Sequence, residues 1–292
     1  MPATGNLRSI VAMLVAVGFF SVMDALLKTL SGSYPAMQVA AMRGLSALPL
    51  VWLYVAWRGE VRVLLRVRWR LHLMRGVLTI LMLALFTFSL RELALTEAYT
   101  IFFIAPLLIT MLSIPVLKEK VSLRHWLVIG VGLAGVVIAL RPDQDLFFSI
   151  SALAVLGAAA CYAVSAIGGR VLSRTEPSVT LVFWTTTILA LGASALAWPH
   201  WVGIQHAHWP VLVGMGVTGF VGQLAMTEAF RHGKASAVAP FEYTALAFGL
   251  GLDWMIWNTV PDHYTLLGGA IIIASGIYLI RKEKVQDITV AP

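Results

Sequence analysis

Long apolar runs separated by short polar breaks fill almost the whole of this chain. Ten such runs can be recognised, and each approaches the roughly 20 residues that a helix needs to cross a membrane. A transmembrane β-strand would be shorter and would alternate apolar and polar residues, so helices are expected. The runs cover approximately residues 10–30, 36–57, 73–90, 97–117, 124–140, 148–169, 178–198, 209–229, 235–257 and 264–281.

The first run is expected to remain in the protein as its first span. It is too long for the apolar region of a cleavable signal peptide, and no clear cleavage site follows it. The ten runs leave only short connections, which carry turn-forming residues such as Pro, Gly, Asp and Asn. The pattern therefore predicts neither a soluble domain nor a long linker.

The pattern repeats once along the chain. Residues 18–43 align without a gap on residues 160–185, and a later stretch, 116–130, aligns on 255–269. Each copy contains five runs, and an odd number forces the second copy to enter the bilayer from the opposite face. We predict an all-α polytopic membrane protein, with ten transmembrane helices as two inverted five-helix repeats around a central cavity. The predicted repeats are residues 1–147 and 148–292.

The composition agrees with lipid as the surrounding solvent. Hydrophobic residues make up 59% of the chain, charged residues 12%, and the mean hydropathy is +0.86. A soluble domain carries about 25% charged residues. The single cysteine, Cys161, excludes an intrachain disulfide and is expected to be a small packing residue.

Basic residues are distributed unevenly between the two sides of the predicted membrane. Of the 21 Lys and Arg residues, 17 fall in the tails and loops on the N-terminal side, and Arg43 lies within a span. Only Lys28, Arg91 and Arg141 fall on the other side. Positive residues accumulate in cytoplasmic loops, so both termini are predicted to be cytoplasmic. The basic loop at 58–75 is interpreted as part of this topology signal, with anionic lipid or nucleic acid as the alternative; no nucleic-acid partner is predicted.

Motifs for catalysis and for metal or cofactor binding are absent from the sequence. There is no phosphate-binding glycine loop, no paired cysteines and no nucleophile elbow. The seven histidines lie in predicted loops or at helix ends. We therefore expect no enzyme activity, no metal and no cofactor.

Two opposite charges occur within the first two predicted spans, where charge is costly and indicates function. Asp24 and Arg43 are both about 10 Å below the same predicted surface at 1.5 Å per residue. One interpretation is a structural ion pair that joins the two helices. The other is that Arg43 or Asp24 lines a cavity and binds a substrate carboxylate or ammonium. The second repeat has Ala166 and Thr185 at these positions, so the two halves differ here.

A second polar pair is predicted in the other half. Glu242 lies about seven residues into the ninth run, and Gln223 lies at a similar depth in the eighth. A carboxylate at this depth is either a proton-coupling group or a hydrogen-bonded structural residue.

Two prolines are expected to interrupt spans, as transporters do around their cavities. These are Pro106 in the fourth run and Pro240 in the ninth. Aromatic residues near these breaks are candidates for stacking on a flat ligand, and packing against neighbouring helices is the alternative. They are Tyr99, Phe102, Phe103, Phe241 and Tyr243.

The whole chain resembles the EamA family of the drug/metabolite transporter superfamily. The resemblance rests on Arg43 early in the second run, on residues 94–142 and on residues 233–252. Glu119 also matches the family's pattern, whereas its counterpart in the second repeat is about Asn258, a departure. Within the family the chain most resembles bacterial exporters of aromatic amino acids.

The resemblance implies a ten-helix bundle with a central cavity, located in the bacterial inner membrane. It predicts export of amino acids, aromatic ones first, by alternating access. The predicted substrate-binding residues are Asp24, Arg43, Tyr99, Phe103, Gln223, Glu242 and Tyr243. The alternatives are export of other metabolites or drugs, a lipid-handling protein, and a non-transporting membrane subunit. Close-spaced glycines are expected to serve packing within the monomer, so no oligomer is required.

Overall fold

The computed structural model describes residues 4–59, 61–65, 67–89, 95–140, 149–257 and 263–289. Within these ranges the regular structure is helical, and no strand occurs. The helices are α1 (Thr4–Ser31), α2 (Ala36–Arg58), α3 (Trp69–Ser89), α4 (Leu95–Phe102), α5 (Ala105–Leu117), α6 (Leu123–Leu140), α7 (Ile150–Leu172), α8 (Ser178–Ala197), α9 (Trp209–His232), α10 (Ala235–Val238), α11 (Thr244–Trp257) and α12 (His263–Thr289). Arg91, Arg141 and Asn258 lie outside the described residues.

Seven helical segments are long and apolar enough to cross a membrane. They are Leu7–Leu27, Ala36–Arg58, Trp69–Phe86, Ala98–Leu117, Ile150–Leu172, Ser178–His200 and His206–His232. Two shorter apolar helices, Leu123–Ala139 and His263–Tyr278, fall in predicted runs as well. The all-helical class and the membrane location are thereby supported, whereas ten spans and the inversion of the repeats stay predictions.

The fourth and ninth runs are each broken into shorter helical pieces. α4 and α5 are separated at Phe103 and Ile104, and Pro106 occupies the first turn of α5. In the ninth run a 3₁₀ helix, Ala239–Tyr243, contains Pro240 and joins α10 to α11. Proline suits the first turn of a helix because the missing N–H has no helical partner there. Pro49, by contrast, lies inside α2 without ending it.

The helices pack in four extensive pairs. These pairs are α1 with α9, α2 with α8, α3 with α7, and α6 with α12. In order of the predicted runs, they join the first to the eighth, the second to the seventh, the third to the sixth, and the fifth to the tenth. Runs one to five correspond to runs six to ten in the sequence repeat. When each run is replaced by its counterpart, the same four pairs result.

Two loop anchors occupy the same position of the sequence repeat. The Tyr34 hydroxyl is 2.8 Å from Nδ1 of His208 and accepts the Gln205 backbone N–H at 2.9 Å. Glu176 aligns with Tyr34, and its carboxylate oxygen is 2.6 Å from Nε2 of His72. The Tyr34 anchor fixes the segment between α1 and α2 to the start of α9. The Glu176 anchor fixes the segment between α7 and α8 to the first turn of α3.

One end of the described bundle is closed by apolar packing. A single apolar cluster joins the beginning of α1, the C-terminal parts of α5, α7 and α9, and α10. Its buried members include Ile10, Leu117, Ile167, Phe230 and Val238. We call this end, where α1 begins, the closed end.

At the opposite end the same helices belong to separate clusters. α1 packs with α2 and α9 around Met23 and Met215, whereas α4 packs with α3 and α7 around Ile101 and Val155. The 3₁₀ helix packs with α6 and α12 around Tyr243. We call this end, where the described buried residues form separate clusters, the open end.

Helices α6 and α12 approach closely because glycines face each other. A Cβ atom on Gly268 would overlap the carbonyl oxygen of Gly135 and the backbone of Ala139. Small residues at such crossings let helix backbones meet where lipid offers no hydrophobic driving force.

We expect Gly268→Ala to destabilise the bundle by about 1–3 kcal/mol, because the added methyl group overlaps backbone that cannot move aside. Thermal unfolding of the detergent-solubilised protein measures this as a lower Tm. The matched control is Gly276→Ala on the same helix, where a Cβ would lie 3.6 Å from the Phe241 ring. Equal Tm values for the two variants would contradict the close contact.

Candidate functional site

Asp24 is exposed in the structure, although it does not face the lipid. The lipid-facing residues of α1 are Val11, Val15, Phe19 and Val22, spaced three or four positions apart and at least 36% exposed. At about 100° per residue, Asp24 lies roughly 140–180° around the helix from each of them. Its exposure therefore arises from a cavity within the bundle.

Arg43 and Tyr162 occupy comparable positions on their helices. Arg43 is half-buried and lies roughly 160–180° around α2 from exposed Leu45 and Trp52. Tyr162 is half-buried and lies at a similar angle from exposed Leu153 on α7. Both side chains therefore point toward the interior of the bundle.

The interior charges are close enough to interact. Asp24 interacts electrostatically with Arg43 and with Tyr99, and Arg43 interacts with Tyr99 and Tyr162. Among the described residues, neither Asp24 nor Arg43 forms an ion pair within 4 Å. The Arg43 guanidinium instead lies 5.5 Å from the centre of the Phe20 ring. Asp24 and Arg43 thus share a site without closing on each other.

Glu242 joins these residues through one hydrogen bond. The Tyr162 hydroxyl donates to Oε1 of Glu242 at 3.1 Å, which connects α7 to the 3₁₀ helix of the ninth run. We refer to Asp24, Arg43, Tyr99, Tyr162 and Glu242 as the polar cluster. Its members come from α1, α2, α4, α7 and the 3₁₀ helix, so both halves of the chain contribute.

Aromatic rings form a continuous wall on one side of the polar cluster. Phe86 lies 5.7 Å from Tyr99 and 5.6 Å from Phe102, and Phe102 lies 5.7 Å from Tyr162. All four rings are half-buried, and their tilted and edge-on arrangements are favourable for aromatic pairs. We call Phe86, Tyr99, Phe102 and Tyr162 the aromatic wall.

Phe103 and Gln223 lie apart from the polar cluster, whereas Tyr243 adjoins it at Glu242. Phe103 packs on Tyr243 at 6.0 Å, and Tyr243 is buried against Gly132. Gln223 is half-buried on α9, and no described hydrogen bond links its side chain to the cluster. The structure thus brings Asp24, Arg43, Tyr99 and Glu242 together. It places Tyr243 beside Glu242 and does not add Phe103 or Gln223.

Tyr162 and Phe20 are site residues that the sequence analysis did not select. In the alignment of residues 18–43 on 160–185, Phe20 falls on Tyr162. Phe20 lies against Arg43 in the first half, and Tyr162 holds Glu242 in the second. An aromatic residue at the same repeat position was the signal that could have identified both.

Glu119 fixes the closed end next to the site. Lys118 adopts the left-handed conformation with φ 56° and ends α5. The Glu119 carboxylate then accepts backbone N–H groups of Ala235 and Ser236 at 2.9 and 3.1 Å, and the Ser236 hydroxyl at 2.8 Å. These bonds tie the loop after α5 to α10, which leads into the 3₁₀ helix that carries Glu242.

The described residues contain no group of three or more His, Cys, Asp or Glu side chains that could hold a metal ion. A large apolar groove of about 410 Å³ lies elsewhere, on the outer surface of the bundle. It is lined by Leu50, Leu53, Tyr54, Trp57 and Phe220 and contains no member of the polar cluster.

Comparison with known proteins identifies the family. The model of the EamA-like transporter family matches residues 7–141 and again residues 149–281. The chain belongs to the EamA-like transporter family. It is therefore a multi-pass membrane protein that transports small molecules.

Several curated proteins resemble this EamA-like transporter along most of their length. The pseudopaline exporter CntI of Pseudomonas aeruginosa is 30% identical over 281 residues, which cover 95% of this chain and 98% of the exporter. The S-adenosylmethionine uptake transporter of Rickettsia prowazekii is 25% identical and covers 90% of this chain and 89% of its own. The riboflavin transporter of Vibrio cholerae is 26% identical, and the match covers 85% of this chain and 84% of that transporter. All three are named as transporters of metabolites, and none of these names specifies an aromatic amino acid.

One solved crystal structure has the same fold. It superposes with a TM-score of 0.80, covers 97% of this chain and 99% of its own, and is 19% identical. At this identity the likeness shows the fold alone. The match to the family model confirms the family predicted from the sequence, whereas the closer resemblance to aromatic amino-acid exporters is not confirmed.

We expect Asp24→Cys, made in a Cys161→Ser background, to react with a membrane-impermeant maleimide added on the side of the open end. A thiol at this position would face water, and maleimides react with the thiolate. Mass spectrometry of the labelled protein measures the reaction rate.

The matched control is Val15→Cys, which is 41% exposed on the same helix but faces lipid. We expect it to react at least tenfold more slowly than Asp24→Cys. Equal rates for the two positions would contradict a water-filled cavity at Asp24.

Proposed function

We propose that this chain exports amino acids, aromatic ones foremost, across a bacterial inner membrane by alternating access. The observation that carries the proposal is the polar cluster beside the aromatic wall, inside a bundle that one apolar cluster closes at the end where α1 begins. Opposite charges next to flat rings suit a small molecule with an ammonium group, a carboxylate and an aromatic side chain.

The proposed architecture is ten spans in two inverted repeats, residues 1–147 and 148–292. Three observations support it. The four helix pairs are unchanged when the halves are exchanged, and the Tyr34 and Glu176 anchors occupy one repeat position. The family model also matches the chain twice, once in each proposed repeat.

Both termini are proposed to be cytoplasmic, on the basis of the basic loops. The closed end contains the beginning of α1, so it would face the cytoplasm and the open end would face outward. Export requires the opposite arrangement to form as well. We propose that α5 and α10, the helical pieces next to Pro106 and Pro240, reorient to open the closed end, because they pack together there.

The proposed substrate contacts follow from charge. The Arg43 guanidinium would bind the carboxylate, because a planar fork of donors matches it. Asp24 or Glu242 would accept the ammonium, and the aromatic wall, which includes Tyr99, would stack on the ring. Phe103, Tyr243 and Gln223 are proposed to act at the periphery of this site.

A second candidate is export of a different metabolite. The relatives named above carry pseudopaline, S-adenosylmethionine and riboflavin, so the family scaffold accommodates diverse molecules. Competition by a metabolite panel in the assay below separates this candidate from amino-acid export.

We expect Arg43→Ala to lower the flux of L-phenylalanine in reconstituted vesicles at least tenfold, since loss of a charged partner at a buried contact costs about 2–5 kcal/mol. Flux is measured with radiolabelled L-phenylalanine. The control is Arg62→Ala, an exposed arginine outside the bundle interior, which should keep wild-type flux. Size-exclusion profiles in detergent verify that both variants are folded.

Wild-type vesicles that move no aromatic or aliphatic amino acid would contradict the proposed substrate. Undiminished flux in folded Arg43→Ala would contradict the proposed contact and favour a structural role for Arg43.

A further inference from the structure

Glu242 has no cation beside it in the described part of the chain. Asp24 interacts electrostatically with Arg43, whereas no described Lys, Arg or His interacts with the Glu242 carboxylate. Its described side-chain partner is the neutral Tyr162 hydroxyl at 3.1 Å.

The surroundings of Glu242 supply little else that could neutralise its charge. The titratable groups connected with it are Tyr162 on α7, the adjacent Tyr243 and, beyond Tyr162, Arg43 on α2 with Asp24 on α1. The described side chains that α5, α6, α10, α11 and α12 pack around the 3₁₀ helix are apolar or hydroxyl-bearing.

A half-buried carboxylate within a membrane bundle is costly unless a cation neutralises it. Two cations can do so here: a proton, or a cationic group of the transported molecule. Both occupy the same oxygen atoms, so they exclude each other.

We propose that a proton and an ammonium group of the substrate bind Glu242 alternately, so that the protein exchanges one for the other, with Tyr162 as the positioning residue. This inference rests on the proposed function and deepens it. When the ammonium binds, the Glu242 carboxylic acid releases its proton to water in the cavity. After the substrate leaves, the carboxylate takes up a proton before the empty site reorients.

Tyr162 is suited to position Glu242 because neighbouring side chains contact both its ring and its hydroxyl. Phe102 lies 5.7 Å from the ring, and the Met226 sulfur lies 3.7 Å from the hydroxyl. The hydroxyl also interacts electrostatically with Arg43. A substrate carboxylate bound to Arg43 and a substrate ammonium bound to Glu242 would therefore both lie next to Tyr162. Arg43 belongs to the first half of the chain and Glu242 to the second.

Three probes that differ in one group each test the exchange. L-phenylalanine carries both charges, phenethylamine only the ammonium, and 3-phenylpropanoate only the carboxylate. In lightly buffered detergent solution with a pH-sensitive dye, we expect L-phenylalanine and phenethylamine to release protons from the wild-type protein. We expect no release with 3-phenylpropanoate, and none with any probe in Glu242→Gln.

The matched control is Glu228→Gln, which changes a carboxylate that pairs with His232 at 3.2 Å. It should release protons as the wild type does. In vesicles, an inward proton gradient should accelerate L-phenylalanine export by the wild type and by Glu228→Gln, but not by Glu242→Gln.

Tyr162→Phe keeps the ring and removes only the hydroxyl. We expect its KM for L-phenylalanine to rise about tenfold, with an altered pH profile and a smaller change in kcat, because one charge-assisted hydrogen bond to Glu242 is lost. The matched control is Tyr54→Phe on the outer groove, which should change neither KM nor the pH profile.

The outcomes separate this inference from the proposed function. If the wild type transports L-phenylalanine but Glu242→Gln keeps its response to the proton gradient, the exchange is refuted and the export function stands. If L-phenylalanine is not transported but phenethylamine still releases protons in a Glu242-dependent manner, the export function is refuted and the exchange stands. Absence of proton release with every probe refutes the exchange.

Discussion

The polar interior of this protein is a consequence of its lipid solvent. A charged side chain within a membrane span cannot face the acyl chains without a large free-energy cost, so it must turn inward and find partners or water. Asp24 and Arg43 lie on the sides of α1 and α2 that oppose the lipid-facing stripes. Charged side chains that point inward need a cavity with water or partners, and such a cavity requires helices that do not pack closely along their whole length.

The scaffold is symmetric, whereas the charges within it are not. Helix pairing and the Tyr34 and Glu176 anchors obey the exchange of halves. Asp24 and Arg43 have Ala166 and Thr185 as counterparts, and Phe20 has Tyr162. Symmetry of packing is compatible with two-sided motion, whereas asymmetry of the polar groups can serve the recognition of one molecule. The same aromatic position thus supports a cation in one half and a carboxylate in the other.

Membership of the EamA-like transporter family explains the fold and the general activity, but not the cargo. The relatives transport different metabolites with similar overall sequences. Specificity must therefore reside in a few interior side chains rather than in the helices that hold them. In this chain the side chains proposed for this role are the polar cluster and the aromatic wall, which meet at Tyr99 and Tyr162.

The sequence by itself determined the helical class, the membrane location and the family, and it singled out Asp24, Arg43, Tyr99 and Glu242 as candidate interior polar or aromatic groups. It could do so because hydrophobic length and the cost of a charge in lipid are local properties of each span. Only the tertiary structure decided that Tyr162 holds Glu242, that Phe103 packs on Tyr243, and that an apolar cluster closes the end where α1 begins. These features depend on how helices distant in the sequence rotate and tilt against each other, and one span's pattern of residues does not specify that.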